Sequence, residues 1–227
     1  YGRRAPIVRN VSIVDECDCV VAFWDGRSKG TKFTIDKAEQ QGKKIHHLNI
    51  GQPDLPTPEA FYEAVRGFRF DTLSYAASPG MPVLIDAVRG YYDKLGVSLD
   101  PQDVLITTGG SEALLLTFLS ILDPYTEVII PEPYYPNYTT FVHAAGGRIR
   151  ALPTRPEEGY RYADRKRIEK LITKNTRAIM ITNPGNPTGV VLEESEMRMI
   201  ADIAKKHDLF LICDEVYREF CYDDKFG

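Results

Sequence analysis

The sequence predicts an α/β protein built on a doubly wound, mostly parallel sheet, and three observations predict it. Short apolar runs alternate with helical periodicity from about residue 45 to residue 217. Polar loops rich in glycine and proline follow those runs, which collects the chemistry at one edge of the sheet. The third is Leu209-Phe210-Leu211-Ile212-Cys213-Asp214-Glu215-Val216-Tyr217, which reads as an interior strand ending in a carboxylate. Asp214 is therefore the first candidate for a working residue, although Asp214 and Glu215 also fit the start of a solvated loop.

Taken in order, Cys19-Val20-Val21-Ala22-Phe23-Trp24 reads as a strand, followed by the turn-rich stretch 25–31 and a helix ending near Gly42. A strand, a glycine-containing loop and a helix can cradle a phosphate on free N–H groups, and the same text fits an ordinary connection. Residues 45–50 predict a short strand broken by Gly51, Pro53 and Pro56, and Thr57-Pro58-Glu59 predicts an N-cap and a helix through about Arg66. His46 and His47 are strand neighbours that face opposite ways and cannot share a metal. A turn at 74–82 precedes a helix over 83–95. The strand Val104–Thr108 then runs into Gly109-Gly110-Ser111-Glu112 and the apolar helix 113–122.

Glycines let a backbone approach an anion, and the first N–H groups of a helix are unpaired, so this junction is a second candidate site. It also fits a plain strand-to-helix turn. The strand 127–130 leads into Pro131-Glu132-Pro133-Tyr134-Tyr135-Pro136, where prolines hold an aromatic pair on a rigid segment. Such a ring can stack on a flat heteroaromatic ligand or simply pack. A helix at 137–145, a strand at 148–152, a charged helix at 164–172 and a strand at 177–182 continue the alternation. Asn183-Pro184-Gly185-Asn186-Pro187-Thr188-Gly189 then forces a turn whose asparagines each offer a donor and an acceptor. A helix over 193–207 returns the chain to the strand before Asp214. No internal repeat and no low-complexity linker interrupts this order.

With 227 residues, 43% hydrophobic and 26% charged, the chain is long enough for one sizeable core. Its 28 basic and 32 acidic side chains leave a net charge of −4, which gives no footprint for nucleic acid or anionic membrane. No apolar run approaches the roughly 20 residues of a membrane span, so a cytoplasmic location is expected. Cys17, Cys19, Cys213 and Cys221 are expected as core thiols in a reducing compartment, and no metal site is expected. Without an initiator Met, and stopping at Asp223-Asp224-Lys225-Phe226-Gly227, the chain is expected to be a fragment.

Asn49-Ile50-Gly51-Gln52-Pro53-Asp54, Gly109-Gly110-Ser111-Glu112-Ala113, Asn183–Gly189 and Asp214-Glu215-Val216-Tyr217 together make residues 46–222 resemble the class I/II aminotransferases, fold-type I pyridoxal-phosphate enzymes. The resemblance implies pyridoxal 5′-phosphate as cofactor and an amino-group transfer between an α-amino acid and a 2-oxo acid. It implies that Gly110, Ser111 and Glu112 meet the cofactor phosphate, Tyr135 stacks on its ring, and Asn186 and Tyr217 bond its phenolic oxygen. Asp214 would keep the ring nitrogen protonated, because opposite charge favours the charged form of each partner. Gly51 and Asn186 would bind the substrate carboxylate, and Tyr75 would reach the phosphate of a neighbouring subunit, which implies a homodimer.

The family's Schiff-base lysine is absent from the expected position. Lys225 follows Asp214 too closely and in the wrong context, so no catalytic residue is expected within the chain and the fragment alone is expected to be inactive. A β-lyase or decarboxylase would keep the same four stretches, and a non-catalytic ligand-binding module is the reading from another class. Residues 1–31 resemble the last β-α unit of a small Rossmann-like nucleotide-binding family, the SLOG type. A segment of uncertain origin at 1–44 and a partial large domain at 45–227 are therefore expected, joined by fusion or recombination within a helix.

Overall fold

A computed structural model describes residues 5–22, 24, 27–47 and 55–221. It divides the chain into two compact units, Tyr1–Leu73 and Ser74–Gly227. Gly51 and the rest of Asn49–Asp54, as well as Lys225, lie outside the described residues.

The first unit contains α1 (Ala5–Glu16), β1 (Cys19–Ala22), α2 (Lys29–Gln40), β2 (Lys44–His47) and α3 (Glu59–Gly67). β1 and β2 pair in parallel from Cys19↔Lys44 to Ala22↔His47, and Val14, Ala22, Ile35 and Ala38 form the buried centre. The expected strand and helix are present, while Phe23, Asp25 and Gly26 of the strand end and loop lie outside the described residues. α1 is not in the sequence reading, because Ile7, Val8, Val11, Ile13 and Val14 give it a β-branched text. Burial of Val14 overrides that propensity.

Ser28 caps α2 by accepting the Thr31 N–H. Thr57 was expected to cap α3, but Pro58 occupies the cap position and no side-chain cap bond forms. The change of sequence character at 44/45 is not where the compact units separate, since β2 is tied to β1 by its backbone hydrogen bonds.

The second unit contains α4 (Pro82–Asp93), α5 (Gly110–Ile121), β3 (Glu127–Glu132), α6 (Asn137–Ala144), β4 (Arg148–Pro153), α7 (Arg165–Leu171), β5 (Thr176–Thr182), α8 (Glu194–Lys206) and β6 (Phe210–Asp214). Its sheet has the order β4-β3-β5-β6 with every pair parallel. The strand period of two sends successive apolar residues to opposite faces, and both faces are covered. Ile129, Ile179 and Ile181 join Ile168 of α7 and Ile200, Ile203 and Ala204 of α8 in one core. Val128, Ile130, Ala178 and Met180 join Phe118 of α5 and Tyr138 and Val142 of α6 in the other. This is the doubly wound α/β arrangement that the alternating text predicts.

Three expectations differ from the described structure. Residues 104–108 were expected as a strand, but they join no ladder, and Ile106 donates its N–H to the Pro79 carbonyl at 2.9 Å. An apolar run fixes burial, not a pairing partner; Val104 is indeed buried. The strand before Asp214 was expected to be interior; among the described residues β6 pairs with β5 alone, and Phe210 is 57% exposed. Of the cysteines expected in the core, Cys19 and Cys213 are exposed and Cys17 and Cys221 only half-buried.

Candidate functional site

The sheet changes winding direction between β3 and β5. The chain leaves β3 for α6 on one face and leaves β5 for α8 on the other, which opens a crevice at the strands' C-terminal ends. Three of the loops singled out from the sequence emerge there, at 131–138, 183–189 and 214–217. α5 ends near Leu122, and Tyr125 then bonds the Gly146 carbonyl just before β3 begins. α5 thus runs against the strand direction, so its first turn lies at the same C-terminal edge.

Asp214 ends β6 opposite Thr182, the last residue of β5. The half-buried Asp214 carboxylate accepts the Tyr138 hydroxyl at 2.6 Å through Oδ2 and the Val216 N–H at 3.1 Å through Oδ1. Tyr138 Oη is also 2.8 Å from Thr182 Oγ1. Since the single Tyr138 proton goes to Asp214, Thr182 donates to Tyr138, which gives an ordered chain of two hydroxyls ending on a carboxylate. Burial first, and the Asp214 carboxylate next, push the Tyr138 hydroxyl far above the ordinary tyrosine range, so it stays protonated and donates.

The turn after β5 brings a second pair together. The Asn183 N–H bonds the Asp214 carbonyl at 3.0 Å, and Asn183 Oδ1 accepts the Leu192 N–H at 2.9 Å, which ties this turn to β6 and to the entry of α8. Gly185 donates to the Val190 carbonyl at 2.8 Å, and a Cβ on it would come within 2.8 Å of Thr188 Oγ1, so the turn demands glycine there. Asn186 is left with its amide Nδ2 3.4 Å from Tyr217 Oη. Tyr217 rests edge-on against Phe220. α4 steadies that turn, with the Tyr91 hydroxyl donating to Glu219 and the Arg218 guanidinium lying over Tyr92.

Tyr135 sits half-buried where α6 begins. Its ring meets Tyr138 edge-on at 5.5 Å between centroids, and its hydroxyl accepts the Asn137 amide at 2.7 Å. These contacts hold one aromatic ring at the crevice. At α5, Gly109 takes φ +79°, a conformation that glycine adopts without strain, and no side chain caps the helix. The N–H groups of Gly110, Ser111 and Glu112 therefore face the exposed helix start without an intrahelical acceptor. The Glu112 carboxylate turns back to accept the Thr108 N–H at 2.5 Å, so Glu112 presents its backbone, rather than its charge, at the helix start.

Among the expected site residues, Asp214, Asn186, Tyr217 and Tyr135 are placed around the ends of β3, β5 and β6, with Gly110, Ser111 and Glu112 at the start of the helix on the Tyr138 face. Tyr75 is fully exposed. The sequence reading missed Tyr138 and Thr182; the signals were a tyrosine three residues after Tyr135, one helical turn on, and a hydroxyl on the residue that closes a strand. A small, partly open pocket of about 20 Å³ lies between the ends of β3 and β5, lined in part by Tyr134, Tyr162 and Asn186. Among the described residues no cluster of three metal-ligating side chains occurs, and no helix is long and apolar enough to cross a membrane.

The family model described as aminotransferase class I and II matches residues 43–226. The chain is 38% identical over 186 residues to a probable aspartate/prephenate aminotransferase of Thermus aquaticus, covering 81% of this chain and 48% of that protein. It is similar to the structure of a Thermus thermophilus aspartate aminotransferase mutant, with a TM-score of 0.71 and 35% identity over 78% of this chain and 49% of that one. An aromatic aminotransferase from Pyrococcus horikoshii gives a TM-score of 0.72 and 34% identity over 78% and 48%. The chain thus spans about half the length of the relatives it matches. Nothing in these comparisons supports the resemblance of residues 1–31 to a SLOG-type unit.

Proposed function

Because the chain belongs to the class I and II aminotransferases, a family that depends on pyridoxal 5′-phosphate, we propose that it is the cofactor-binding half of an enzyme moving an amino group between an α-amino acid and a 2-oxo acid. One observation carries this reading. A carboxylate at a strand end lies one turn from an amide and a phenol that converge within 3.4 Å. That donor set fits the group, because an anion suits a pyridinium and two donors suit a phenolate.

When bound, the cofactor supplies an electron sink for the substrate's α-carbon, provided its ring nitrogen is protonated. Asp214 holds that proton in place by its charge. Asn186 and Tyr217 stabilise the phenolic oxygen, and Tyr135 offers its ring for stacking. The uncapped start of α5 receives the phosphate through the N–H groups of Gly110, Ser111 and Glu112, with the Ser111 hydroxyl as a further donor. Gly51, with Asn186, meets the substrate carboxylate. The exposed Tyr75 reaches the phosphate held by a second copy, so the working assembly is a homodimer, in the cytoplasm. Residues 45–227 are part of the large domain, and the segment 1–44 that precedes them contributes β1, which pairs with β2.

Pyridoxine 5′-phosphate tests this reading, since it keeps the ring nitrogen, phenolic oxygen and phosphate but lacks the aldehyde that reacts with surface lysines. Calorimetric titration of the chain should give one saturable site, weakened at least tenfold by Asp214→Asn. Absence of a saturable site, or equal affinity in the two proteins, overturns it.

A further inference from the structure

We propose that Tyr138 is a positioning residue for the cofactor: its hydroxyl, itself held by Thr182, fixes the Asp214 carboxylate as the partner of the ring nitrogen. The inference rests on the function proposed above and adds to it a residue that never touches the ligand.

The geometry carries it. Tyr138 is 1% exposed, so its ring is locked in the core formed by α5, α6 and the sheet. Only its hydroxyl reaches the crevice, and there it meets the ends of both β5 and β6, at 2.8 Å from Thr182 and 2.6 Å from Asp214. The Tyr138 hydroxyl thus reaches the Asp214 carboxylate from the helix layer, across the ends of two paired strands. Asp214 is then restrained from two directions, by the Val216 N–H on Oδ1 and by Tyr138 on Oδ2. Hydrogen bonds to a charged group are the stronger kind, and those that orient a working side chain matter in proportion to how tightly the site must be held. Tyr135 adds a link, because the ring offered for stacking leans edge-on against Tyr138.

Two probes separate positioning from bulk structure. Pyridoxine 5′-phosphate carries the ring nitrogen, whereas its analogue with a C–H in place of that nitrogen offers Asp214 nothing to hold. Tyr138→Phe keeps the buried ring and removes only the oxygen. In the full chain it should weaken pyridoxine 5′-phosphate about tenfold and leave the affinity for the carbon analogue within about twofold of the parent. Thr182→Val, which removes the donor behind Tyr138, should give a smaller loss of the same selectivity. Should Tyr138→Phe fail to fold, Thr182→Val decides alone. An equal loss for both probes, or no loss in a folded variant, overturns the proposal while the parent still binds. A parent chain that binds neither probe overturns the proposed function itself, and this inference with it.

Discussion

Glu127, at the start of β3, is surrounded more completely than any other surface carboxylate of the sheet. Arg150 grips it with Nη2 at 2.8 Å and Nε at 3.1 Å, and the Thr173 hydroxyl donates at 2.6 Å. The hydrogen bond from Arg150, followed by that from Thr173, outweighs burial and holds the carboxyl below the usual glutamate range. A depressed folded value means that the stabilisation is present above the unfolded value of about 4.3 and is lost as pH falls through the folded one. Arg150 is 37% exposed, so solvent screens the pair and Glu127→Gln should cost about 1 kcal/mol at pH 7. Urea midpoints at pH 7 and pH 3 check this, and the gap between parent and variant should narrow as the pH falls. At this scale the sequence offered Asp214 as a strand-end carboxylate, and the family resemblance added Asn186, Tyr217 and Tyr135, which lie with it around the ends of β3, β5 and β6. It was silent on Tyr138 and Thr182, because Tyr138 meets Asp214 across 76 positions and Thr182 across 44, and no local pattern encodes either meeting.

Among the elements, β3, β4, β5 and β6 and the helices α5 to α8 lie where apolar runs and helical periodicity place them. α1 escaped because its β-branched text favours a strand until a tertiary contact decides otherwise. Residues 104–108 misled for the converse reason, since strand-forming residues do not carry the identity of a neighbour. α5 is the element on which the candidate site leans, because it fills one face of the sheet and starts at the crevice. Its anchor is Phe118, fully buried against Val128, Tyr138 and Met180. Phe118→Ala removes the ring and leaves a void among residues that are themselves fixed, so it should lower stability by about 3–5 kcal/mol. Denaturant midpoints measure that loss, and a cost under about 1 kcal/mol would mean that α5 is not anchored this way.

For the whole molecule, the division after Leu73 makes the connecting stretch the place to cut. α3 buries none of its residues, and Arg69 sits in exposed, non-helical chain between α3 and α4. Brief trypsin treatment should release a C-terminal product beginning at Phe70 before any cut within β3 to β6, as read by mass spectrometry. Earlier cleavage inside the sheet would contradict the two-unit description. The border position of β6 has a different consequence. Among the described residues its outer flank joins no ladder and Phe210 stands 57% exposed beside it, so this flank is open to pairing with a further extended strand.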